Sequence, residues 1–195
     1  MVVSLEMTPE EYRNRVYAMM SSGAFRSSDL ARGDINEDDF TTWAKSNLEK
    51  SSDFIVVSTD GMSEMTPNKV QAKIDIHRPD LVIYDYAQLG SDNDHTEAMT
   101  PRMLALSRQM KLLAMANRIP IILITAVTDE EGSKRDGPPR VNQVAWSKGI
   151  EYDASLILSV HRHKGTNIVE IACRKNRYGD EFSFYFEVDF DSGIW

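Results

Sequence analysis

Hydrophobic and polar positions along the chain change period several times, and each change predicts an element. Val2-Val3-Ser4-Leu5 is a short apolar run closing at Glu6, the pattern of a buried strand that starts almost at the first residue. Thr8-Pro9-Glu10-Glu11 is a capping box with Thr as N-cap and Pro at the first helical position. A helix follows at once, with Tyr12, Val16, Met19 and Met20 spaced along one expected buried face. Short helices are predicted from Ser28 to Arg32, closed by Gly33, and from Asn36 to about Leu48, where Phe40, Trp43, Ala44 and Asn47 share a side. Phe54 to Ser58 reads as a second buried strand. Thr66-Pro67 caps a helix carrying Val70 and Ile74, and Leu81 to Tyr84 is a third strand with Asp85 at its C-terminal end. Gly90 to Thr96 is a polar loop, after which Thr100-Pro101 is expected to cap a long helix with Met103, Leu106, Met110 and Leu113 in one stripe. Pro120 to Thr125 is a fourth strand, and its unbroken apolar character predicts cover on both faces. Thr128 to Asn142, rich in Gly, Pro and charge, is a long loop of the kind that is usually mobile or functional. The last third changes character: Ser155 to Val160, Asn167 to Arg174 and Glu181 to Val188 are strands with no helix between them, the last alternating Phe182, Phe184 and Phe186.

Strand-helix alternation followed by strands alone predicts an α/β fold, a parallel sheet flanked by helices and extended by antiparallel strands at the C-terminal end. With 195 residues, 42% of them hydrophobic, the chain has material for one core and one domain. Its longest strongly apolar stretch, Ile119 to Val127, is half of what a membrane-spanning helix needs, and no signal-peptide pattern opens it, so no membrane partner is expected. A single cysteine, Cys173, excludes an internal disulfide and a cysteine metal cluster; it reads as a buried strand residue in a reducing cytoplasm. The net charge of −8 repels polyanions at long range, so contact with nucleic acid would have to come from local basic loops.

The chemistry concentrates in "RPDLVIYDYAQL", where a helix end and an apolar strand lead to Asp85. A carboxylate at the C-terminal tip of a buried parallel strand lies where open α/β sheets bind ligands, and it can hold Mg²⁺ through water. Taken alone, Asp85 can also be a strand cap. A metal-dependent nuclease built on Asp60, Asp80 and Asp85 is disfavoured, because five residues of strand set Asp80 and Asp85 roughly 16 Å apart.

In collinear order the segments carry more. "VVSLEM", "DLARGDINEDDF", "RPDLVIYDYAQL", "LSRQMKLLAMANRIPIILITAV", "SKGIEYDASLILSVHR" and "RKNRYGD" resemble, from near the first residue to the last, the motor domain of DnaB-type replicative helicases. The resemblance implies a RecA-like fold in a hexameric ring, a homo-oligomer that couples ATP hydrolysis to movement on single-stranded DNA in the cytoplasm of a bacterial or phage-infected cell. In that family the segment ahead of the first strand carries the phosphate loop, G-x-x-x-x-G-K-[ST]. Nothing here matches it: Gly23, Gly33 and Gly61 are isolated and no Gly-Lys-Ser or Gly-Lys-Thr occurs. The chain is therefore expected to be a partial motor domain over residues 1 to 195, truncated at the N-terminus, with a separate phosphate-loop-bearing segment as a further partner.

By the same resemblance, Glu6 matches the catalytic glutamate that orients and deprotonates the attacking water, and Asp85 matches the Walker B acid that binds the Mg²⁺ of ATP through its water shell. Lys175 and Arg177 match the hairpin residues that reach a neighbour's nucleotide. Lys134, Arg135 and Arg140 lie in the loop after the fourth strand, where the family meets DNA, and six copies would line a channel with positive charge. Two positions depart from the pattern: Ala126 follows Thr125 where the family has Ser-Gln, and Ala145-Trp146 replaces its Arg-Glu. The alternative from another class is a RecA-like binding or assembly module with no ATPase activity.

Overall fold

A computed structural model of the protein describes residues 1–49, 51–59, 64–127, 137–141, 147–190 and 192–194, without the side chains of 147 and 148. Its elements follow the chain as β1 (Val2–Ser4), α1 (Pro9–Met20), α2 (Ser27–Arg32), α3 (Glu37–Asn47), β2 (Val56–Ser58), α4 (Pro67–His77), β3 (Val82–Asp85), a 3-10 turn (Ala87–Leu89), α5 (Met99–Asn117), β4 (Ile121–Leu123), α6 (Ser147–Asp153), β5 (Leu156–Arg162), β6 (Ile168–Asn176) and β7 (Ser183–Glu187).

Four strands form a parallel sheet in the order β2-β1-β3-β4. Parallel neighbours need crossovers, and the helices supply them while covering the sheet. The core beneath combines Val3, Val57, Val82 and Tyr84 of the sheet with Val70 and Ile74 of α4 and the predicted stripe Met103, Leu106, Met110 and Leu113 of α5. Tyr84 is fully buried, and its hydroxyl donates to the Met65 carbonyl at 2.7 Å, so its polar end is satisfied inside the core. A satellite cluster of Tyr17, Phe25, Phe40 and Trp43 joins α1 to α3, with ring centroids 5.3 to 6.0 Å apart.

The capping box at α1 forms as predicted. Glu11 N–H donates to the Thr8 hydroxyl and Thr8 N–H to the Glu11 carboxylate, at 3.2 and 2.8 Å. These bonds hold the Glu11 carboxyl below its ordinary range. Thr8→Ala is expected to destabilise the chain by about 1 kcal/mol, the usual cost of losing such a cap. Urea unfolding should show this as a lower midpoint at unchanged slope, and an unmoved midpoint would mean that the box contributes nothing to stability.

The three late strands are antiparallel, as expected, but they form a sheet of their own in the order β5-β6-β7 rather than an extension of the first. Cys173 is buried on β6. Phe182, Phe184 and Phe186 stack along one face, as their alternation predicts. On that face Leu158, Val160, Phe182 and Phe184 are exposed, Val160 by 62%, while Val169 and Cys173 of the central strand are buried. Polar contacts join this half to α5: Ser107 donates to Asp153 at 3.1 Å, and the Lys111 amine to the Ser155 hydroxyl at 3.0 Å. α5 and α6 approach closely at Gly149, where a Cβ would lie 2.0 Å from Leu104 Cδ2 and the leucine side chain would have to move aside.

Three expectations are corrected. The long helix α5 starts at Met99 with Ala98 as an N-cap that makes no side-chain bond, so Thr100-Pro101 lies inside its first turn and not at its cap. β4 is not covered on both faces: Ile122 is 49% exposed, because an apolar run reports what a strand can bury and not what lies against it. In α1, Ala18 is buried while Met19 and Met20 are exposed. The end of that helix meets different neighbours on different sides, α3 against Tyr17 and the carboxy-terminal turn against Met19, whose Cγ would lie 2.6 Å from a Cβ at Gly193.

Candidate functional site

The first and third strands of the sequence become neighbours, in a register that sets Ser4 beside Asp85. The Leu5 amide donates to the Asp85 carbonyl at 2.8 Å, so the two strand tips end at one level. Glu6 then leaves the sheet in a tight turn. Its neighbours are fixed by buried Ser4, whose hydroxyl donates to the Met7 carbonyl at 2.6 Å and accepts from the Met7 amide at 3.1 Å. Glu6 itself is exposed and Asp85 half-buried. The peptide joining Asp85 to Tyr86 is cis.

Tyr12, read from the sequence only as a core position, reaches Asp85. From the first turn of α1 its hydroxyl donates to Asp85 Oδ2. Burial pushes the phenol far above its ordinary range, and the bond to Asp85, the charge of Asp85 and the charge of Glu6 add to the rise. No feature of the sequence marks this role, since a tyrosine at helical spacing usually supplies packing area.

Gln88 is a second residue that the sequence does not single out. Its side-chain amide pairs with the backbone of Ala126 in both directions, donating to the carbonyl at 3.0 Å and accepting from the amide at 3.1 Å. The turn after β3 is thereby tied to the chain after β4. The tie uses only the backbone at 126, so the alanine there leaves it intact.

Of the two predicted loops, the one after β3 is an ordered knot. Asp92 is fully buried and accepts from the amide and hydroxyl of Thr96 at 2.8 and 2.7 Å. Burial pushes its carboxyl up, and the bonds from Thr96, together with its own backbone amide and the charge of His95, hold it below the ordinary carboxylate range. In the other loop, Lys134 and Arg135 lie outside the described residues, as do Asp60 and Ala145-Trp146. Arg140 is exposed, just beyond a point where Arg174 of β6 donates to the carbonyls of Pro138 and Pro139 at 2.7 and 3.1 Å.

Lys175 lies near the end of β6 and Arg177 in the turn from β6 to β7. Lys175 donates to the Glu151 carbonyl, and Arg177 to the Tyr152 carbonyl at 3.4 Å, both at the C-terminal end of α6 where unpaired carbonyls collect. Among the described residues neither bonds to Glu6 or Asp85. Also among these residues, no three His, Cys, Asp or Glu side chains group as a metal cage, and no helix is long and apolar enough to cross a membrane.

Comparison with known proteins supplies the context. The family described as "DnaB-like helicase C terminal domain" matches residues 1–192. A probable plasmid replicative DNA helicase of Chlamydia trachomatis is 24% identical over 189 residues, which are 96% of this chain and 41% of that protein. Among solved structures, a DnaB-like replicative helicase, described together with its interactions with primase, superimposes with a TM-score of 0.81 at 21% identity, covering 99% of this chain and 50% of that one. The RadB recombinase superimposes at 0.54 with 16% identity over 98% of this chain and 76% of its own. The chain spans less than half the length of the curated relatives it matches.

Proposed function

Because the chain belongs to the DnaB-like helicase C-terminal domain family, we propose that it is the larger part of a RecA-like motor in a hexameric ring that couples ATP hydrolysis to movement on single-stranded DNA. The observation that carries this reading is the pair of acids at the tips of two adjacent parallel strands, Glu6 two residues beyond Ser4 and Asp85 in register with it. One acid is exposed and free to take a proton from water. The other is half-buried, hydrogen-bonded and suited to a cation.

The donor set fits Mg²⁺. That ion keeps most of its water and is held by one or two carboxylates together with substrate phosphates, not by a closed protein cage, and a single tethered aspartate supplies what it needs. Bound there, it would neutralise charge on the β- and γ-phosphates. Asp85 would hold its water shell, Glu6 would orient and deprotonate the attacking water, and Arg177 with Lys175 would act on the nucleotide of the next subunit. Arg140, with Lys134 and Arg135, would meet DNA phosphates in the channel. Such a protein would work in the cytoplasm of a bacterial or phage-infected cell.

The phosphate cradle is assigned to polypeptide outside these 195 residues, since the sequence has no G-x-x-x-x-G-K-[ST]. The second reading is an assembly module without ATPase activity. Steady-state ATP hydrolysis separates the two. The chain alone should turn over negligibly, and a protein carrying a phosphate loop ahead of it should hydrolyse ATP faster when single-stranded DNA is added. Turnover by the chain alone, abolished in Glu6→Gln, would overturn the division of the site; no turnover in the longer protein would favour the module.

A further inference from the structure

We propose that Tyr12 is a positioning residue for Asp85: its hydroxyl occupies Oδ2 and leaves Oδ1 as the oxygen presented to a metal-bound water. This rests on the reading of Asp85 as the magnesium carboxylate and adds a residue to that site. Tyr12 is the one side chain hydrogen-bonded to Asp85 among the described residues.

The position of the phenol is built by local structure. Ser4, in register with Asp85, pins Met7; Thr8 then caps α1 in its reciprocal box with Glu11; and the Tyr12 amide donates to the Thr8 carbonyl at 3.1 Å, the first bond of the helix. The chain thus leaves the tip of β1, turns through Glu6, and returns one helical turn later to the tip of β3. Closing this circuit at Asp85 fixes one rotamer of the carboxylate and ties it to the segment that holds the proposed base. A free aspartate offers a hard cation two oxygens and can chelate it directly. An aspartate with one oxygen engaged favours single-oxygen contact through water, the arrangement required of a carboxylate that serves the metal without stripping it.

The test uses the full 195-residue chain and Mn²⁺ alone, followed by water-proton relaxation. Wild type should show a weak site that disappears in Asp85→Asn. In Tyr12→Phe the second oxygen is released, and the site should tighten about 3- to 10-fold, the span one intramolecular hydrogen bond carries in an equilibrium constant. Circular dichroism checks that each variant is folded, and Tyr12→Met replaces Tyr12→Phe if that variant is not. Equal or weaker Mn²⁺ affinity in the folded variant, with the site still lost in Asp85→Asn, overturns the positioning role and leaves the metal reading standing. Binding indifferent to Asp85→Asn overturns the metal reading and the proposal with it.

Discussion

Glu6→Gln, in a protein that carries a phosphate loop ahead of this chain, is expected to lower ATP turnover by about 10²- to 10⁴-fold, the usual contribution of a positioned general base. Nucleotide affinity should stay within a few-fold, because a base acts on the water in the transition state and holds nothing in the ground state. The structure makes this a clean substitution. Glu6 is exposed, and its turn is held by Ser4 and Met7, so the isosteric amide disturbs neither strand tip nor cap. Stability should move by no more than about 0.5 kcal/mol, as for surface changes generally. Phosphate release measures the first quantity and a fluorescent nucleotide the second. Unchanged turnover, or turnover lost only in proportion to affinity, would remove Glu6 from the chemistry.

Much of the fold is legible in the sequence because the elements announce themselves locally. Thr8-Pro9-Glu10-Glu11 and Thr66-Pro67 state where α1 and α4 begin, and the side-chain caps form at both. The α5 stripe is readable because Met103, Leu106, Met110 and Leu113 repeat at helical spacing, although its start is not, since Ala98 makes no cap bond and Thr100-Pro101 imitates one. Sheet membership is harder. Apolar alternation in β7 says that a face wants cover, but the separation into two sheets and the exposure of Val160 depend on partners that periodicity does not encode.

The site divides along the same line. Strand-tip acids can be read because an apolar run ending in a carboxylate is a one-dimensional pattern, and parallel pairing of the first and third strands then brings Glu6 and Asp85 to one edge. Tyr12 and Gln88 act through contacts made at separations of 73 and 38 residues, and nothing beside either residue in the sequence names its partner. Arg174 is a third such case: one more basic residue in a strand by sequence, it anchors the base of the loop that carries Arg140.

Arg177→Ala is expected to lower turnover of the assembled protein by about 10³- to 10⁵-fold, the range measured for arginine fingers. Within its own subunit Arg177 does little that would explain such a loss. Its side-chain bond to the Tyr152 carbonyl is 3.4 Å long, at the outer limit of a hydrogen bond, and the adjacent Tyr178 is 85% exposed at the tip of the turn. A guanidinium held so loosely on a projecting turn can be redirected at small cost, and its planar fork suits the charge that spreads over a transferring phosphoryl group. Lys175→Ala should be milder, since an ammonium offers a point charge without that geometry. Mixing decides between action on a subunit's own nucleotide and action on its neighbour's. Rings of Arg177→Ala alone and of Glu6→Gln alone should be inactive, whereas mixed rings contain interfaces where an intact Glu6 faces an intact Arg177, and activity should partly return. Mixed rings that assemble normally and remain inactive would mean that Arg177 does not act in trans, and full activity of Arg177→Ala would return the turn to the role its bonds describe, a basic clamp on the end of α6.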